Sequence, residues 1–240
     1  MLYRRRTPVL NVPAAAILRR MANPTSVLEV AYSDLIALVE KLDDDAAWRP
    51  TGCAGWAARD LVFHLLGDAQ RALVALGTPA TGPADVDAVT YWRAWRPGDP
   101  DADLSRRNTR IMASVWSGIR PLADLYAETA RAVLVHARRF EGDELVATQG
   151  HTLTVGDLLA TLAVEAGVHQ LDLTAHLPGP PPAPPVLRLV RDVLDGLIGR
   201  PVAQDWDDAH YVRAGTGRTP LTAAERESLG PAAELFPVFG

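Results

Sequence analysis

From Asn23 onward the apolar positions Val27, Leu28, Ala31, Leu35, Leu38, Val39 and Leu42 recur at three- and four-residue intervals, the period of a helix with one buried face. Asn23 supplies a capping side chain and Pro24 the preset φ of a first helical position, so the helix is expected to open there and to run to about Leu42. Asp43-Asp44-Asp45 ends that stripe. The stretch Trp48-Arg-Pro-Thr-Gly-Cys-Ala-Gly-Trp56 reads as a loop, and a second stripe, Leu61, Val62, Leu65, Leu66, Ala69, Leu73 and Leu76, carries a helix to Gly77, where a left-handed stop is expected. Residues 77–103 are dense in Pro, Gly and Asp around Tyr91-Trp92-Arg93-Ala94-Trp95 and predict a long connection with room for one helical turn, the kind of segment that forms a binding wall. Helical spacing resumes from Leu104 to Phe140, broken near Gly118 and Pro121 into a short and a long helix. Thr154-Val-Gly-Asp157 is a capping arrangement that starts a helix at Val155, expected to last to about Ala175. Six prolines between residues 178 and 185 read as a linker. Val186 to Ile198 then predicts an amphipathic helix stopping at Gly199, His210-Tyr-Val-Arg213 a strand, and Thr222-Ala-Ala-Glu225 a last short helix closed by Gly230.

Four substantial helices before residue 177 can bury their stripes against one another. The expected fold is therefore mainly α. Residues 23–177 form a four-helix bundle, 178–185 a linker, and 186–240 a small α/β extension too short for a robust core of its own, packed on the bundle. Residues 1–22 read as a loosely held tail. Arg4-Arg5-Arg6 and the apolar stretch after it imitate a signal peptide in outline, but Pro13 interrupts that stretch and Arg19-Arg20 closes it; Met21 is an alternative start.

With 48% hydrophobic and 22% charged residues among 240, the composition is that of an ordinary globule. A net charge of −5 leaves no field to hold a phosphate backbone, so nucleic acid is not an expected partner. No run reaches the roughly 20 apolar residues of a membrane helix. The single cysteine, Cys53, asks for no oxidising compartment, and a cytoplasmic location is expected. Monomer and homodimer stay equally open.

Glu165 and His169 lie four apart on the best-defined helix and so share a face that also points toward the bundle core. His64 stands among Leu61, Val62 and Leu65 on an otherwise apolar stripe. Together the three make a two-histidine, one-carboxylate set with a coordination position left open, which suits zinc, with nickel, cobalt or iron compatible by ligand type. Glu165 and His169 read equally well as a simple helical i,i+4 pair, and a lone helical histidine as a satisfied core residue. Asp68 and Asp172 are placed to orient the histidines as outer acceptors, and Asp68 also to act as a base. Arg213 and Arg218 suit clamping an anionic substrate or a thiol cofactor, as do Arg93 and Arg96 in the tryptophan loop; each is otherwise a surface charge. Cys53, with no evident His or Asp partner, is expected as a small buried residue, and Trp56 as core packing at the helix entry.

The loop Trp48 to Trp56 leading into Arg59-Asp-Leu-Val-Phe-His64-Leu resembles the loop–helix signature of the mycothiol-dependent maleylpyruvate isomerase family, a branch of the DinB-like metalloenzymes. Thr148-Gln-Gly, Leu153-Thr-Val-Gly-Asp-Leu and Val164-Glu165-Ala-Gly-Val-His169-Gln-Leu-Asp172-Leu resemble its second signature. The segment from Gly215 to Leu221, with Leu229-Gly230, is similar to the C-terminal portion of less characterised actinobacterial relatives. The resemblance implies a DinB-like bundle with a metal, usually zinc, on His64, Glu165 and His169, and mycothiol held as a thiolate cosubstrate for isomerisation of, or transfer to, a small electrophilic substrate. The short C-terminal region departs from the isomerase and puts maleylpyruvate as the substrate in doubt. Two other functions compete: a metal-hydroxide hydrolase that drops the thiol, and a non-catalytic small-molecule binding module.

Overall fold

The Asn23 side chain accepts a hydrogen bond from the Thr25 amide at 3.0 Å, and Pro24 follows at the first helical position, so α1 (Pro24–Val39) begins where its capping residues require. It buries Val27, Leu28, Ala31, Tyr32, Leu35, Ile36 and Val39 and stops one turn short of Leu42. The computed structural model describes residues 23–94 and 100–239; the N-terminal tail, Met21, Trp95 and Arg96 lie outside the described residues. Helix α2 (Ala58–Leu76) follows a loop and a short 3₁₀ turn, Ala46–Trp48. Gly77 ends it at φ −90°, so the stop is not the left-handed one expected. Beyond it the long connection contains the 3₁₀ turn Thr90–Ala94, which buries Tyr91 and Trp92.

Helices α3 (Pro100–Ala113) and α4 (Ile119–Ala137) are the expected short and long pair, with Pro121 tolerated in the first turn of α4. A hairpin that helical periodicity does not show, β1 (Leu145–Thr148) and β2 (His151–Thr154), pairs antiparallel with Thr148 opposite His151. Its two-residue turn, Gln149-Gly150, has φ of +50° and +82°, the positive pair that type I′ geometry demands. Thr154 then caps α5 (Val155–Leu173), accepting from the Asp157 amide at 3.0 Å.

The bundle consists of α1, α2, α4 and α5, with α1 against α5 and α2 against α4. Almost all of α5 is buried, because α6 (Pro184–Ile198) covers its outer side. Gly167 permits that contact: a Cβ there would lie 2.6 Å from Val186 Cγ1. The last two prolines of the linker open α6 instead of preceding it, and Gly199 closes it at φ +87°. His210 to Arg213 is not a strand. It belongs to α7 (Asp208–Gly215), capped by Asp207, whose carboxylate accepts from the His210 amide at 2.9 Å. The strands of this mainly α fold lie in the hairpin before α5, and the region after residue 186 is helical where it has regular structure, ending in α8 (Ala223–Leu229) and a 3₁₀ turn, Gly230–Leu235. None of the described helices is long and apolar enough to cross a membrane.

Candidate metal centre

Helix α2 presents His64, Asp68 and Arg71 along one stripe, and α5 presents Glu165, His169 and Asp172 along another. The two stripes meet beneath the loop before α2. One ligand atom each from His64, Glu165 and His169 lies within 4.8 Å of the other two. His169 Nε2 is 3.1 Å from Glu165 Oε2, and the His64 and His169 rings meet edge to face with centroids 4.8 Å apart. Zinc bonds of about 2.0–2.2 Å to nitrogen and oxygen require ligand atoms somewhat closer than 4.8 Å, which is within the reach of side-chain adjustment. Two imidazole nitrogens and one carboxylate oxygen therefore fit a divalent transition metal in number, type and spacing.

The surroundings of His169 support the same fit. Its Nδ1 lies 3.0 Å from Asp172 Oδ2, which fixes the ring and turns Nε2 toward Glu165. Asp172 is fully buried and saturated: Arg218 donates to both its oxygens, Nε to Oδ1 at 3.1 Å and a terminal nitrogen to Oδ2 at 3.0 Å, while the Cys53 thiol donates to Oδ2 at 3.1 Å. Burial alone would raise the Asp172 carboxyl, but His169 and Arg218 outweigh it and hold the group well below the ordinary range. Burial likewise opposes a charged His169 ring, yet its bonds to Asp172, Cys53 and Glu165 raise its pKa well above the usual value. Glu165 is lowered, its own burial overcome by His169 and His64. Asp68 is raised, because burial outweighs the pull of His64. Its Oδ2 is 3.2 Å from His64 Nε2 and makes no hydrogen bond.

Cys53, His169 and Asp172 form a second close group, which would use the other nitrogen of His169. A cation there would face the Arg218 guanidinium across the same carboxylate, so electrostatics favours the His64 side. Cys53 is half-buried and has partners, so it is not the buried, partnerless small residue expected: His169 and Asp172 lie 116 and 119 residues away in sequence, where no local pattern reveals them. Gly52 makes this junction possible. Its amide donates to the Asp172 carbonyl at 2.9 Å, and a Cβ would stand 2.4 Å from Asp172 Oδ1.

The triad lines a cavity of about 710 Å³ whose wall includes Trp56, Trp92, Val168, Arg218 and Phe239. Trp56 is buried as expected and also packs against His64, with ring centroids 5.2 Å apart. Trp92 and Phe239 stack at 4.7 Å. Of the expected arginines that are among the described residues, only Arg218 is at the site. Arg213 lies on α7 and contributes its backbone, its carbonyl accepting from the Arg218 and Thr219 amides, while its side chain lines neither this cavity nor the smaller one beside it. Arg93 is exposed, because its 3₁₀ turn buries the neighbouring Tyr91 and Trp92. Arg96 lies outside the described residues. Asp68 and Glu165 also line a smaller chamber of about 290 Å³, together with Arg71 and Gln149, which composition alone does not single out.

A family model described as the mycothiol maleylpyruvate isomerase N-terminal domain matches residues 28–174, more than half of the chain, and spans His64, Glu165, His169 and Asp172. No curated protein and no solved structure matches it.

Proposed function

We propose that the chain, which belongs to the mycothiol maleylpyruvate isomerase N-terminal domain family, is a metal-dependent enzyme that uses a low-molecular-weight thiol of the mycothiol type on a small electrophilic substrate, by isomerisation or by transfer. The observation that carries this reading is the convergence of His64, Glu165 and His169 at the wall of a 710 Å³ cavity, a volume within the usual range for small-molecule sites. Held by those three residues, zinc or a similar cation would stabilise a sulfur anion at neutral pH, as it does a bound hydroxide.

The chain's own groups divide the remaining work. Asp172 keeps the Nδ1 of His169 engaged, so that Nε2 is presented to the site in a fixed orientation. Arg218 neutralises Asp172 and closes that side of the cavity. Trp56, Trp92 and Phe239 form an apolar wall that limits water around the thiol. Asp68, raised by burial and 3.2 Å from His64 Nε2, lines the smaller chamber and stands behind His64 as its outer carboxylate partner.

The test is thermal melting of zinc-equilibrated protein with mycothiol and with an unrelated small thiol, for the native chain and for His64→Ala. A mycothiol-dependent rise in melting temperature that requires both zinc and His64 is expected. No rise with either thiol, or an equal rise in His64→Ala, would overturn the proposal.

A further inference from the structure

Helix α3 lies over the site with its two sides reversed. Ser105, Thr109 and Ala113 recur at four-residue spacing and share one side of the helix with Arg106. That side faces the protein: Ser105 and Thr109 line the 290 Å³ chamber, Arg106 lines the 710 Å³ cavity, and Ala113 is fully buried. Leu104 and Ile111 are seven residues apart, and Val115 follows four later in the turn beyond the helix, so they form a stripe on the opposite side with Met112 beside it. A surface helix ordinarily buries its apolar stripe and leaves the polar one in water. Here Leu104, Ile111, Met112, Val115 and the nearby Trp48 keep 51–76% of their surface exposed.

The exposed face is nonetheless held in place. A helix of 14 residues is marginal in water by itself and depends on packing. Among the described side chains of α3 only Ala113 is buried, so polar anchors fix the helix instead. The Trp56 indole donates to the Arg106 carbonyl at 3.2 Å, and the Arg59 guanidinium donates to the Ala113 and Trp116 carbonyls at 2.8 Å each. The same guanidinium, itself buried, lies 4.3 Å from the centroid of the Trp48 ring. Trp48 is thereby pinned although exposed, and with Ile111 it lines a groove of about 570 Å³ at the edge of the stripe. A large aromatic side chain fixed before binding is the kind of residue that carries interface affinity.

We infer that this face is an interface whose occupant is a second copy of the chain, packed through α3 about a two-fold axis. Leu104, Asn108, Ile111, Met112 and Val115 carry no charge, so two identical stripes can meet without opposing ions, while Arg107 and Arg110 lie to one side and stay solvated at the rim. Half or more of these large apolar side chains and of Trp48 amounts to on the order of 500 Å², near the most that a monomer leaves in water. Doubled across the axis, it reaches roughly the 1,000 Å² at which specific interfaces begin. An anionic bilayer is a poorer occupant, because a net charge of −5 opposes its approach. The inference does not depend on the metal reading, although the contact falls on the helix that covers both cavities.

The test is sedimentation velocity of zinc-equilibrated protein over a range of micromolar concentrations, with circular dichroism of each sample as the check on folding. The variants are Leu104→Glu, Ile111→Glu and Ile111→Ala, with Val135→Glu and Leu235→Glu as controls that place the same charge at exposed apolar positions on α4 and in the last 3₁₀ turn. The native chain is expected to sediment as a dimer. A carboxylate set into the stripe should weaken dimerisation by about tenfold or more. Ile111→Ala, which adds no charge and suits a helix, should weaken it by less, and the two controls should leave it unchanged. A native chain that stays monomeric, whether or not it binds phosphatidylglycerol vesicles, overturns the inference. So does a dimer that the Leu104 and Ile111 variants leave intact, or one that the controls weaken equally.

Discussion

Asp172→Asn removes one charge from a carboxylate that holds three side chains at once and changes little else in shape. Asp172 is fully buried and joins Arg218, His169 and Cys53. Breaking a buried ion pair by neutralising one partner costs about 3–5 kcal/mol. The lower end applies here, because the Arg218 side chain keeps 17% of its surface exposed and its bond to the Thr216 carbonyl at 2.9 Å. For a chain of this size about 3 kcal/mol corresponds to a fall in melting temperature of roughly 6–12 °C. The same substitution weakens the hold on the His169 ring, and loss of an orienting partner of this kind costs about 10- to 100-fold in metal affinity. Melting followed by circular dichroism gives the first quantity, and zinc competition against a chromophoric chelator the second. A fall of less than about 3 °C together with zinc affinity within about twofold of the native value would refute the reasoning.

Gly52→Ala places a methyl group 2.4 Å from Asp172 Oδ1 and 3.0 Å from its Cα, so the loop must withdraw; zinc affinity should fall about tenfold by the same competition assay. Gly167→Ala drives a Cβ to 2.6 Å from the buried Val186, and the overpacking, partly offset by better helix propensity, should lower stability by about 1 kcal/mol, read as a melting shift of about 2–4 °C. Asp192 has its pKa raised by burial and then by Asp195 and Asp208, so its charge opposes folding once the pH rises above the unfolded value and fully so above the folded one. Asp192→Asn should therefore raise the melting temperature at pH 7 by about 1 °C, from about 0.2–0.5 kcal/mol, and leave it unchanged near pH 3; an equal effect at both values would exclude the charge as the cause.

The parts of this fold that local chemistry determines are legible in the sequence. Asn23-Pro24, Thr154 with Asp157, and Thr222 with Glu225 all cap the helices they were expected to start. His64 stands out because a polar ring interrupts an apolar stripe, and Glu165 with His169 because their spacing puts them on one face; the folded bundle brings these three together. What depends on distant partners is not legible. Cys53 acquires its environment from Asp172 and His169, more than a hundred residues away. Nothing local separates Arg218, which reaches Asp172, from Arg93 and Arg213, which do not reach the site. The four-residue strands of the hairpin are too short to show a period of two, although Gln149-Gly150 is a turn signal in outline. The alternation His-Tyr-Val-Arg suggests a strand at 210–213, but the Asp207 cap and the burial of Tyr211 and Val212 make it helical.

A zinc-edge anomalous difference map from crystals grown with zinc tests the account most directly. The account predicts one strong peak at about 2.0–2.2 Å from a nitrogen each of His64 and His169 and from a Glu165 oxygen. A peak among Cys53, His169 and Asp172 instead, or no bound zinc while the three side chains keep their present positions, would contradict it.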